Sequence, residues 1–285
     1  MKSITNVTKR YKLPAVTFTA GVIVTVIFYK LSSSSSDPCI DWSKISPDSM
    51  SGNQIIEYFK WTNSWSCRMP QYFGGKYQWL FNKDGEKVVC LDSQVKPVSE
   101  SCIVYSFGIN DEWSFDEAME KYGCNVFAFD PFMELGSHQH SKRISFHKMG
   151  LGFDGNSWDL VQMRSLSSIY KMLRSKHGDV VIDYLKIDIE GYEWNVIENI
   201  IASGMLSKIR QMGMEIHMWP VNGTIIHHRS LVKMIQLLET NGMVRFNSQI
   251  NPVTYRYIDA FGFKDYTCYE IAWYNSHHYR TSMTN

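Results

Sequence analysis

The sequence predicts an α/β fold, a doubly wound and mostly parallel sheet with helices on both faces. Three observations predict it. From Cys102 onward, short apolar runs alternate with segments of helical period. Most of the helical segments close on a glycine. Acidic residues recur where apolar runs end, which is where open α/β sheets bind ligands.

Cys102–Phe107 (CIVYSF) is apolar and rich in β-branched and aromatic residues, as a buried parallel strand requires. A helix opens at Ser114, where Ser114 and Glu117 are spaced as a capping box. Phe115, Ala118, Met119 and Tyr122 then mark one face, and Gly123 stops it. The second strand, Asn125–Phe129, ends at Asp130-Pro131, and Ile144–Lys148 supplies a third before a glycine-rich turn. Leu166, Ile169, Tyr170 and Leu173 define another helical face. Val180–Ile189 is the fourth strand and Glu193–Ser203 a helix ended by Gly204; Ile209–Met218 is the fifth strand and Ser230–Thr240 a helix ended by Gly242. Val253–Phe263 and Thr267–Tyr274 read as a closing strand pair turned at Lys264-Asp265.

The chain has 285 residues, 44% of them hydrophobic, enough for one large core. Its formal net charge is +1, with no long basic run, which disfavours nucleic acid as a partner. Lys2, Lys9, Arg10 and Lys12 precede the uncharged stretch Leu13–Tyr29, which is long enough for a short membrane span. The expected organisation is a cytosolic tail (1–12), a transmembrane signal-anchor (13–31), a stem (32–60), an N-terminal cap (61–98) and the α/β domain (99–285). Such a chain would be a single-pass type II protein facing the Golgi or endoplasmic reticulum lumen. Ser32–Ser36 leaves a cleaved, secreted form as the alternative.

Six cysteines suit that compartment, and six allow fifteen connectivities, Cys67 with Cys90 being one pair. None forms a CxxC, so no zinc site is expected and no metal is assigned. Asn222-Gly223-Thr224 is a glycosylation sequon.

Two segments carry the chemistry. Gly108 follows the first strand, where a cofactor can approach the backbone, and Asp130 lies 22 positions further on, the spacing of an acid that holds ribose hydroxyls. The GxGxxG of nicotinamide enzymes is missing, whereas Gly108-Ile109-Asn110-Asp111 suffices for a nucleoside without phosphates. In Leu185–Glu193 (LKIDIEGYE), Lys186, Asp188 and Glu190 alternate along an otherwise apolar strand. Glu215 and His217 repeat the theme on the next strand. Buried charges are paired or functional, so this group reads as a general base with its orienter, as a divalent-metal set, or as an ion-pair network around Lys186.

Tyr105–Ile109, Trp113–Asp116, Phe129–Pro131 and Leu185–Glu193 together resemble the methyltransferase-like protein 24 type family, related to FkbM-like methyltransferases. The resemblance spans roughly Cys67 to the C-terminus. It implies a class I Rossmann-like methyltransferase fold, S-adenosyl-L-methionine as cofactor, and O-methyl transfer. Ser106, Phe107, Gly108, Asn110, Asp130, Pro131 and Asp188 would then hold the cofactor, with Asp188, Glu190, Glu215 and His217 as catalytic candidates. The expected acceptor is a small molecule or glycan hydroxyl in the lumen. The alternative is a lumenal binding protein that keeps the fold without turnover.

Overall fold

The computed structural model describes residues 40–78, 82–155, 157–158 and 161–279. The stretch Leu13–Tyr29, with its expected anchor, lies outside them. No helix among the described residues is long and apolar enough to cross a membrane. Residues from Ile45 onward form one unit.

That unit is built on an eight-stranded sheet. Its main strands, after the cap strands β1 (Pro70–Phe73) and β2 (Lys87–Cys90), are β3 (Ile103–Phe107), β4 (Asn125–Phe129), β5 (Ile144–His147), β6 (Tyr184–Ile187), β7 (Gln211–His217), β8 (Met243–Ile250) and β9 (Cys268–Asn275). They lie in the order β8-β9-β7-β6-β3-β4-β5, with a short His138–Gln139 strand beyond β5. Pairing from β5 through β7 is parallel, and β9 runs antiparallel to both β7 and β8. Strand order reverses between β3 and β6, which places the ligand crevice at their carboxyl ends. β3 and β6 are buried along their whole length, consistent with a sheet covered on both faces.

Helices α1 (Gly52–Lys60), α2 (Ser114–Tyr122), α3 (Leu166–His177), α4 (Glu193–Ala202) and α5 (Ile225–Thr240) cover the sheet. Three expectations need correction. Ser114 does not cap α2: the capping residue is Trp113, and the Ser114 hydroxyl bonds Glu112 at 2.9 Å and accepts from the Gly75 amide. A capping box is formed instead by Ser51 with Gln54, at the start of α1. The closing pair is β8 with β9; Tyr255–Ile258 and Phe263–Tyr266 instead form a separate hairpin whose turn lies before Phe263, not at Lys264-Asp265.

The cap is sewn to the sheet. Cys67 and Cys90 are disulfide-bonded, as are Cys102 and Cys124. Gln211, fully buried in β7, exchanges hydrogen bonds with the Cys90 backbone at 2.8 Å in both directions, and the Tyr184 hydroxyl donates to the Val88 carbonyl. These bonds satisfy backbone groups of β2 that burial would otherwise leave unpaired.

Candidate active site

A cavity of about 1110 Å³ opens at the carboxyl ends of β3, β4, β6 and β7. That exceeds the common range for one drug-sized ligand, roughly 300–1,000 Å³, and gives room for two molecules. Gly108, Asn110, Asp130, Pro131, Asp188, Glu190, Glu215 and His217 all line it. Ser106 and Phe107 do not; both are buried within β3, beneath the crevice.

One wall is the loop after β3. Gly108 has φ +77°, and a Cβ there would sit 1.6 Å from the Asp188 carbonyl oxygen, so only glycine lets the β3 and β6 loops meet. Asn110, Asp111 and, across the crevice, Glu190 also hold positive φ, a cost the fold bears at the cavity rim. Asp130 fastens this wall. One of its oxygens accepts from the Ile109 and Asn110 amides, both at 3.0 Å; the other accepts from Phe132 at 2.8 Å and Met133 at 3.3 Å. Its acceptor capacity is thus already used by four backbone donors.

The opposite wall holds the charges. β6 ends at Ile187, so Asp188 and Glu190 lie on the loop beyond it rather than alternating along the strand. Lys186 pairs with neither: its ammonium donates to the carbonyls of Gly108 at 2.6 Å and Phe107 at 3.3 Å. The cation that meets Asp188 comes from the cap. Lys87, 2% exposed, places Nζ 3.3 Å from Asp188 and 2.5 Å from Glu270. Burial raises the Asp188 carboxyl, but the Lys87 and Lys186 ammoniums outweigh it and pull the group down to about 2. Burial and the Asp188 and Glu270 charges push Glu215 up to about 9. His217 is opposed by burial, yet its hydrogen bond to Cys268 and the carboxylates around it raise it to about 12. His217 Nδ1 faces Glu193 at 3.1 Å, and Nε2 faces Glu190 at 3.6 Å. Glu193, fully buried, also accepts from the Ile189 and Gly191 amides, which fixes the loop that carries Asp188.

Lys87, Glu193, Cys268 and Glu270 were not singled out in the sequence. Glu270 carried a usable signal, since it is a charge inside an apolar run, whereas Lys87 only opens one, directly after Glu86.

Fold and crevice together show the class I Rossmann-like layout found in methyltransferases: parallel strands whose order reverses between β3 and β6, an antiparallel strand at β9, and an acidic cleft at the reversal. The chain belongs to the methyltransferase domain family, which it matches over residues 44–264. It is 27% identical over 206 residues to methyltransferase-like protein 24 of Rattus norvegicus, covering 66% of this chain and 56% of that protein. The Homo sapiens protein of the same name is 27% identical over 203 residues, covering 66% and 55%. The chain therefore spans little more than half the length of these relatives. Among solved structures, the Streptococcus mutans protein SMU.1697c in complex with SAH has 9% identity and a TM-score of 0.33, covering 63% of this chain and 89% of its own. A Methanococcus jannaschii fibrillarin pre-rRNA processing protein has 9% identity and a TM-score of 0.34, covering 64% and 70%. Scores so low carry no weight.

The cofactor is S-adenosyl-L-methionine, and the crevice fits it. Acidic side chains outnumber cations in the lining, with Asp111, Glu112, Asp130, Glu134, Asp188, Glu190 and Glu215 against Lys186, Arg256 and His217. Such a surface favours a ligand that carries a sulfonium and an ammonium. Gly108, Asn110 and Asp130 line the same crevice on its β3–β4 side.

Proposed function

We propose that the chain transfers a methyl group from S-adenosyl-L-methionine to a hydroxyl of an acceptor bound beside Asp188, and that the acceptor is a glycan met in the secretory-pathway lumen. The observation that carries this reading is the Asp188 carboxylate. It stands at the reversal of strand order, with Lys87 against one oxygen and the cavity before it. Bound S-adenosyl-L-methionine supplies an electrophilic methyl on sulfur. Asp188 orients the hydroxyl and accepts its proton as the oxygen–methyl bond forms and the sulfur–methyl bond breaks, leaving a methyl ether and S-adenosylhomocysteine. Gly108, Asn110 and the Asp130-fastened wall hold the cofactor, while Glu190, Glu215 and His217 shape the acceptor side. Trp219, half exposed, lines the same cavity as Asn251 and Thr254, which gives it an apolar face as well as hydrogen-bonding groups, a combination that suits a sugar ring. Two disulfides support an oxidising compartment.

The test is to incubate the full chain with methyl-labelled S-adenosyl-L-methionine and extracted glycan, lipid and protein fractions. Label should enter the glycan fraction. Asp188→Asn should bind the cofactor normally and lose at least about 100-fold in turnover. Cofactor binding with no label in any fraction would support the non-catalytic alternative, and normal turnover by Asp188→Asn would remove the assigned base.

A further inference from the structure

The registered pairing of β7 with β9 sets Glu215 opposite Glu270 and His217 opposite Cys268. All four side chains therefore share one face of the ribbon. Glu215, His217 and Cys268 are 6%, 5% and 4% exposed, yet all three line the cavity wall. One donor atom from each lies within 4.8 Å of the others. Cys268 is in no disulfide. His217 Nδ1 faces Glu193 at 3.1 Å, Nε2 faces Glu190 at 3.6 Å, and Cys268 is hydrogen-bonded to the ring, so a metal would take the place of the proton that His217 and Cys268 share.

We infer that Glu215, His217 and Cys268 form a binding site for a divalent transition metal of the zinc class, with its open coordination position facing the cavity. Imidazole, thiolate and carboxylate are together a zinc donor set, and three protein ligands with one free position are the arrangement of catalytic rather than structural zinc. Glu193 behind His217 completes the carboxylate–histidine–metal relay that orients such ligands. Donors around tetrahedral zinc lie about 3.5 Å apart, so the three need draw together by at most about 1.3 Å, a side-chain adjustment. A neighbouring all-oxygen group, Asp188 with Glu215 and Glu270, would suit magnesium, but the Lys87 ammonium already occupies it at 3.3 and 2.5 Å from Asp188 and Glu270. The function of the open position rests on the methyl-transfer reading: there the metal would hold the acceptor oxygen and make its hydroxyl more acidic. Metal uptake itself does not depend on that reading.

The experiment titrates metal-free full-length protein with Zn²⁺ by calorimetry and with Co²⁺ by absorption spectroscopy. One Zn²⁺ per chain should bind, Mg²⁺ should not displace it, and Co²⁺ should give the charge-transfer band of thiolate ligation. Cys268→Ser should abolish the band, and Glu193→Gln, which keeps all three ligands, should weaken Zn²⁺ about 10- to 100-fold. Should Cys268→Ser fail to fold, Glu193→Gln still decides the matter. Folded protein that binds S-adenosyl-L-methionine but takes up no Zn²⁺, a cobalt band that survives in Cys268→Ser, or unchanged affinity in Glu193→Gln would each overturn the site. None of these outcomes touches the methyl-transfer reading, whose readout is label transfer.

Discussion

Asp130 shows how one side chain can fasten two loops at the rim of a cavity. Its two oxygens accept from four backbone amides, two on the loop after β3 and two on the loop after β4. Those loops form one wall of the cavity, the one proposed to hold the cofactor. Asp130→Ala leaves four donors in a site that is 6% exposed at Asp130, and hydrogen bonds to a charged group contribute more than neutral ones. The variant should lose about 3 kcal/mol of stability as well as most cofactor affinity. Asp130→Asn keeps one acceptor oxygen and should be intermediate in both. Equilibrium denaturation and calorimetry with S-adenosyl-L-methionine would check this; an Asp130→Ala protein as stable as the parent would show that the amides find other partners.

At the scale of elements, the sequence was most legible where burial is complete. β3, β4 and β6 must be apolar on both faces, so CIVYSF and its counterparts stand out from their surroundings. Asp188, Glu215 and His217 were legible for the same reason, as charges in apolar context. β8 was not, because it pairs on one side only, contains a bulge between Arg245 and Asn247, and reads MVRFNSQI. Lys87 meets Asp188 across 101 positions and Glu270 across 183, a convergence that no local pattern encodes. α5 begins earlier than the apolar period suggests because the Thr224 side chain caps it, accepting from the His227 amide at 3.2 Å. That extra turn buries His228 completely, its ring edge-on to Phe261 at 5.0 Å and neither nitrogen hydrogen-bonded. Burial, with His227 beside it, lowers His228 to about 4. Between the ordinary histidine value near 6.5 and about 4, the unfolded chain binds a proton that the folded chain refuses, so stability falls as pH drops through that window. His228→Leu should therefore lose less stability than the parent between about pH 7 and about pH 5 in denaturant melts. An equal loss in both proteins would remove His228 as a source of acid sensitivity.

For the molecule as a whole, the two disulfides divide stability from function. Cys102–Cys124 ties the starts of β3 and β4 together, at the ends of the strands away from the crevice, and spans 22 positions. Cys67–Cys90 spans 23 positions and ends on β2, the strand that begins with Lys87. Loops of this size make each bond worth about 3 kcal/mol, chiefly through the unfolded chain, so removing either should lower the melting temperature by a similar amount. Their effects on turnover should differ. Without Cys67–Cys90, β2 keeps its pairing with β1 and the Gln211 and Tyr184 hydrogen bonds but loses its covalent tie to the cap, and the buried Lys87 ammonium is held less firmly against Asp188. A charge displaced from such a pair leaves its partner uncompensated, so a Cys67→Ala/Cys90→Ala protein should lose kcat at least about 10-fold at a temperature where it remains folded. The cofactor wall stands on the β3 and β4 loops, and affinity for S-adenosyl-L-methionine should change little. Cys102→Ala/Cys124→Ala, measured beside it, should melt as early yet keep its kcat. Equal losses of kcat in the two proteins would mean that the cap contributes only stability, and that Lys87 has no part in setting the base.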